Sequence, residues 1–105
     1  MATTSKKLFR GAATTTLTTN LYTVPASTTT VLTSLIVSNT AASAGTFTIA
    51  IGTAASETLI FDEVAIAADT TVIVDLKQVL VATEVIDGGA SAITINFHIS
   101  GVEIA

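Results

Sequence analysis

The sequence predicts an all-β domain: an antiparallel β-sandwich, Ig-like or jelly-roll-like, of about seven to eight strands with an extended N-terminal arm. Three observations carry that expectation. The chain is rich in Thr, with 21 in 105 residues, and in Val and Ile; these β-branched side chains are stiff at χ1 and fit a pleated surface. Several segments alternate apolar and polar residues with a period of two. Turn-forming residues interrupt them about every 8–12 residues, the spacing of a sandwich or barrel. No segment repeats apolar residues at i, i+3, i+4 and i+7 over three turns, and Ala clusters at turns, as in Ala41-Ala42, Ala54-Ala55 and Ala67-Ala68. The length suits one domain.

Residues 1–13 read as a basic arm and residues 14–105 as the sandwich. Lys6, Lys7 and Arg10 are three of the four cations, and from Gly11 onward Lys77 stands alone against eight acids. A short basic segment on an acidic body is a charge asymmetry that suits a contact with a partner. Leu8 and Phe9 sit within it as an apolar anchor. Lys6, Lys7, Leu8, Phe9 and Arg10 are therefore the candidate partner-contact residues.

The first strand is expected from about Thr15 to Val24, ending at Pro25, which cannot donate to a ladder. The second, about Thr29 to Asn39, carries aliphatic residues on both faces and reads as central. Thr40 to Gly45 is a loop. The third, Thr46 to Gly52, points Phe47, Ile49 and Ile51 one way, with Thr46, Thr48 and Ala50 opposite on a wet face. The fourth, about Thr58 to Ile66, changes phase at Asp62-Glu63, which predicts a β-bulge. After the Ala67-Ala68-Asp69 turn comes the fifth, Thr70 to Leu76. An irregular segment, Lys77 to Ala82, leads to a short strand over Thr83 to Asp87, and Gly88-Gly89 reads as a hairpin turn. The last strand, about Ser91 to Ser100, places Ile93, Ile95, Phe97 and Ile99 on one face, and Gly101 shifts the phase before Val102 and Ile104.

Composition excludes several classes of function. There is no Cys, hence no disulfide, thiolate site or cysteine nucleophile, and a single His cannot build a polyhistidine metal centre. The net charge of −4 argues against nucleic acid as a partner. No run approaches the roughly 20 apolar residues of a membrane helix, and the start lacks the apolar core of a secretory signal, so use without export is expected. His98 has no nucleophile-and-acid constellation around it, and the acids lack calcium-loop spacing. No enzyme activity, cofactor or metal is expected. Only 11% of residues are charged, although mean hydropathy is +0.74. A surface coated with Thr, Ser and Ala offers little charge repulsion against association, as in a subunit of an assembly.

The segment Asn20-Leu21-Tyr22-Thr23-Val24-Pro25-Ala26-Ser27-Thr28-Thr29, the Leu/Val/Ile strand Val31 to Asn39, and the closing Phe97-His98-Ile99-Ser100-Gly101-Val102-Glu103-Ile104 together resemble small β-sandwich structural proteins of tailed bacteriophage virions. The resemblance covers roughly residues 14–105, and the segment Lys77 to Glu84 departs from it. It implies a structural virion protein, first a head decoration (cement) subunit that binds and stabilises the shell, and second a tail, collar or baseplate component. A receptor- or carbohydrate-binding module is the competing class. The implied partners are the major capsid protein or other virion proteins and copies of the chain itself, with a trimer plausible by resemblance, and neither nucleic acid nor membrane. The implied location is the virion, assembled in the bacterial host cytoplasm.

Overall fold

The computed structural model describes residues 2–105. Eight strands follow one another along the chain: β1 (Thr3–Ala12), β2 (Thr19–Thr23), β3 (Thr29–Asn39), β4 (Gly45–Gly52), β5 (Thr58–Ile66), β6 (Thr70–Leu80), β7 (Val85–Ala90) and β8 (Ile95–Ile104). They form two four-stranded sheets, β1-β8-β3-β6 and β2-β7-β4-β5, and every pairing is antiparallel. The first strand pairs with the last, the second with the seventh, the third with the sixth and the fourth with the fifth. This is a long hairpin wound around itself, the double Greek key of a jelly roll, and it decides against the Ig-like alternative.

The core lies between the sheets. Leu32, Leu35, Val37, Ile95, Phe97 and Ile99 point inward from the first sheet, and Leu21, Phe47, Ile49, Ile51 and Ile86 from the second. Phe47 links the layers: its ring lies 6.3 Å from Phe97, near edge-on, and 5.5 Å from Phe61, spacings at which aromatic pairs attract.

β3 and β5 keep the expected spans, and β4 begins one residue earlier. The bulge expected at Asp62-Glu63 is present. Phe47 pairs with Val64 and Ile49 with Phe61, so Asp62 and Glu63 together face Thr48. Glu63 takes a φ of 47°, and its N–H donates to the Thr48 hydroxyl at 3.1 Å, which satisfies an amide that the bulge removes from the ladder.

Several expectations change. Residues 3–12 of the expected arm are a strand of the sandwich, paired with β8 from Thr3↔Ile104 to Ala12↔Asn96. An edge strand meets water on its outer face and along one side, so it can be polar almost throughout and still belong to the sheet. Gly88-Gly89 is not a turn but the interior of β7, whose six residues are all buried. A Cβ at Gly88 would lie 2.6 Å from the Thr48 carbonyl oxygen, and one at Gly89 2.3 Å from that of Thr16; glycine is needed because backbone crosses backbone there. The segment 77–80 continues β6 through a bulge at Leu76-Lys77 rather than leaving the sheet. Ile93 lies in the turn before β8 and is 69% exposed, not on the core face. The expected wet face of β4 is also covered: Thr48 and Ala50 are buried beneath a small cleft whose walls include Leu17, Thr18 and Glu57.

Candidate functional site

Two features outside the core gather polar and charged side chains. The first follows from β1. Lys7 pairs with Ser100 and Phe9 with Ile99, so Leu8 is an extra residue in a bulge. Its side chain turns inward to 7% exposure and fills the space that Gly101 leaves: a Cβ at Gly101 would stand 2.9 Å from Leu8 Cδ1. Phe9 packs half-buried on the same core. Lys7 and Arg10 stay exposed. Of the five candidate contact residues, Leu8 and Phe9 are thus occupied within the chain's own core. The bulge opens a depression of about 380 Å³ lined by Lys6, Lys7, Arg10, Thr33 and Ser100 among others.

Lys6 has a partner within the chain. Its Nζ lies 3.3 Å from both carboxylate oxygens of Glu103. Glu103 accepts a short hydrogen bond from the Tyr22 hydroxyl, which also lies 2.9 Å from Thr30 Oγ1. Tyr22 belongs to the second sheet and Thr30 and Glu103 to the first, so this cluster ties the layers together at one end of the sandwich. Burial, then the hydrogen bond to Glu103, pushes the Tyr22 hydroxyl up to about 12. The same hydrogen bond, with help from Lys6, holds the Glu103 carboxyl below its usual range. Tyr22, which lies in the segment that carries the family resemblance, is a structural tie, 8% exposed.

The second feature is a cleft of about 260 Å³ on the outer face of the β2-β7-β4-β5 sheet, lined by Leu17, Leu59, Glu57, Asp62 and Asp87 with Thr18, Thr48 and Ala50. Asp87 sits in the middle of β7 and is 8% exposed. Burial, then the neighbouring Glu57, pushes its carboxyl up to about 6. A hydrogen bond from Asp87 lowers that of Glu57. Each carboxyl shifts the titration of the other, as like charges near one another do. Asn20 Nδ2 is 3.5 Å from Asp87 Oδ1. Among the described residues, no three metal-ligating side chains converge. Sequence reasoning missed this pair. The one local sign is an acid inside the otherwise small and apolar run Val85 to Ala90.

With the strand order in hand, the chain can be set beside known structures. It overlays a chain of the infectious bursal disease virus Gx strain structure with a TM-score of 0.55, at 13% identity over 97% of this chain. It overlays a chain of the T13 viral particle of the same virus with a TM-score of 0.57, at 8% identity over 97%. The eight-stranded fold is shared with proteins of virus particles. The chain spans 32% and 30% of the length of those two. A pentameric capsid protein isolated from metagenomic phage sequences also matches, at 15% identity over 96% of this chain and 57% of that one, with a TM-score of 0.42. No protein-family model and no curated protein sequence matches the chain.

The jelly roll orders the candidate residues in a way the sequence did not. β1 and β6 are the two edges of one sheet. The cations Lys7 and Arg10 lie on the first edge, and the acid Asp75 lies on the second with Asp69 in the turn before it. The outer face between them is small and polar or aliphatic: Ser100, Ser34, His98 and Ile36 span from one edge to the other.

Proposed function

We propose that this chain is a structural protein of a virus particle, and more specifically a decoration subunit that binds and stabilises the shell. The observation that carries the reading is the jelly-roll strand order, which two virus-particle chains share along nearly the full length of this one. Fold alone does not assign a role. What adds to it here is the surface. It is poor in charge and coated with Thr, Ser and Ala, with Leu59, Ile73, Val79, Val81 and Ile93 each more than half exposed. Many weak contacts of this kind, repeated by symmetry over a shell, add up to firm attachment without one strong site. On this reading the partners are the major capsid protein and other copies of the chain, the location is the virion, and no catalysis is involved. A carbohydrate-binding role would want a fully exposed aromatic ring for sugar stacking; Tyr22, Phe47 and Phe97 are buried, and Phe9 and Phe61 are partly buried against the core.

The test is to incubate purified tagged protein with empty phage heads and with isolated tails and image both by electron microscopy. Regular density over the head is the expected result. Density confined to the tail or neck would move the subunit to the collar or baseplate. Binding to neither would overturn the virion reading.

A further inference from the structure

We infer that a second copy of this chain docks its β1 edge onto the β6 edge of the first, head to tail, so that one antiparallel sheet runs through successive copies. Both strands end their sheet, so among the described residues their outer N–H and C=O groups have no strand beside them. Natural proteins protect such edges with bulges, charges, Pro or short length, because an open edge is a template for another chain. The other sheet follows that rule: β2 has five residues and a register shift, and β5 is broken by the bulge at Asp62-Glu63. β6 does not. From Thr70 to Asp75 it pairs with β3 residue by residue, without a shift, from Asn39 to Ser34. Its sequence there, Thr70-Thr71-Val72-Ile73-Val74-Asp75, is β-branched up to its last residue. Ile73 is 70% exposed beside this open edge.

Three properties identify the occupant as β1 of the same chain. The first is polarity. Four antiparallel strands leave β1 and β6 running in opposite directions, so a copy repeated in the same orientation presents its β1 antiparallel to β6. The second is charge: Lys7 and Arg10 are exposed on β1, and Asp75 is exposed on β6 with Asp69 just before it, while the one cation of β6, Lys77, lies beyond Asp75 in the bulge. The third is level. Lys7 pairs with Ser100, Ser100 with Ser34 and Ser34 with Asp75, so Lys7 and Asp75 occupy one row across the sheet. Arg10, His98, Ile36 and Ile73 occupy another. Continuing the rows into the next copy sets its Lys7 opposite Asp75 and its Arg10 opposite Ile73, where opposite charges and the aliphatic stem of Arg both contribute. Such an interface is heterologous, closing into a ring or extending as a filament according to its rotation. It does not rest on the virion reading, because it is a property of the isolated protein.

The lack of any Cys makes the test direct. Within one chain, positions 7 and 75 are three strand spacings apart, about 14 Å, beyond the roughly 7 Å limit for a disulfide. A protein carrying both Lys7→Cys and Asp75→Cys, oxidised in solution, is expected to give a ladder of trimers and larger covalent species on a denaturing gel. Each single variant stops at dimers. Adding Ile73→Lys, which puts a charge beside the open edge, is expected to reduce the ladder roughly tenfold while the circular dichroism spectrum stays that of the folded sandwich. A double variant that stops at dimers, or a ladder that Ile73→Lys leaves intact, would overturn the inference. Failure to bind heads would not bear on it, and a ladder would not establish head binding.

Discussion

Asp87 shows how the surroundings of one residue set its chemistry. The carboxyl lies inside β7, with glycine on its C-terminal side and Glu57 in the cleft above. Its titration near pH 6 is well above the range of a free Asp. A carboxyl whose pKa is raised by folding is at no disadvantage below its unfolded value. It weakens the fold as pH climbs through the interval between the two, here about 4 to 6. Asp87→Asn removes that ionisation and keeps the shape. It is expected to raise stability by about 1–2 kcal/mol at pH 7.5 and to change little at pH 4, which urea denaturation at the two pH values would read. Equal effects at both pH values would mean that Asp87 is not the titrating group. Glu103 behaves oppositely. Its carboxyl is held low by Tyr22 and then by Lys6, so its contribution is present near neutrality and lost as pH falls through that lowered value.

At the scale of the element, β1 is the strand whose role most needed the rest of the fold. Its ten residues, Thr3 to Ala12, contain one fully buried side chain, Leu8, set inward by the bulge and seated over Gly101. Leu8→Ala is expected to cost about 2–5 kcal/mol, the usual range for a buried Leu. Removing residues 2–12 would also strip β8 of its neighbour and open a new edge, so the truncated protein is expected to unfold at lower urea or to aggregate. Light scattering with urea denaturation checks both, and a truncation as stable as the full chain would show that β1 adds nothing to the sandwich. β3, β4 and β5 were legible because each is a run of β-branched and aromatic residues bounded by turn signals, with a period of two in β4 and a phase change at Asp62-Glu63 in β5. β7 was not, because its buried run Val85 to Ala90 shows no period of two and carries Gly88-Gly89. Its glycines, read alone, look like a turn. The Asp87–Glu57 and Tyr22–Glu103 contacts were equally hidden, since each joins residues at least 30 positions apart in the sequence.

Across the whole molecule, the jelly roll joins the beginning of the chain to its end: Ala2 N–H donates to the Ala105 carbonyl at 2.8 Å, and Ala105 N–H donates to Ala2 at 2.9 Å. Of the main strand pairings, only β4 with β5 is a local hairpin. The others close long loops, whose entropy must be spent before their contacts form. Refolding from urea is therefore expected in milliseconds to seconds, in the range of all-β sandwiches. A microsecond phase carrying the full tryptophan-free signal, followed by circular dichroism, would contradict that.

The sequence by itself determined that the chain is all-β, the bounds of β3 and β5 and nearly those of β4, where β5 bulges, and that its surface would be poor in charge. These are properties of neighbours in the chain, and the period of two records them directly. Tertiary structure alone decided that β1 belongs to the sheet, that Gly88 and Gly89 lie in a strand interior, and that cations and an acid stand at opposite edges of one sheet. Each depends on which strands lie side by side, and that is settled by burial and hydrogen bonding between segments far apart in the chain, which no local pattern encodes.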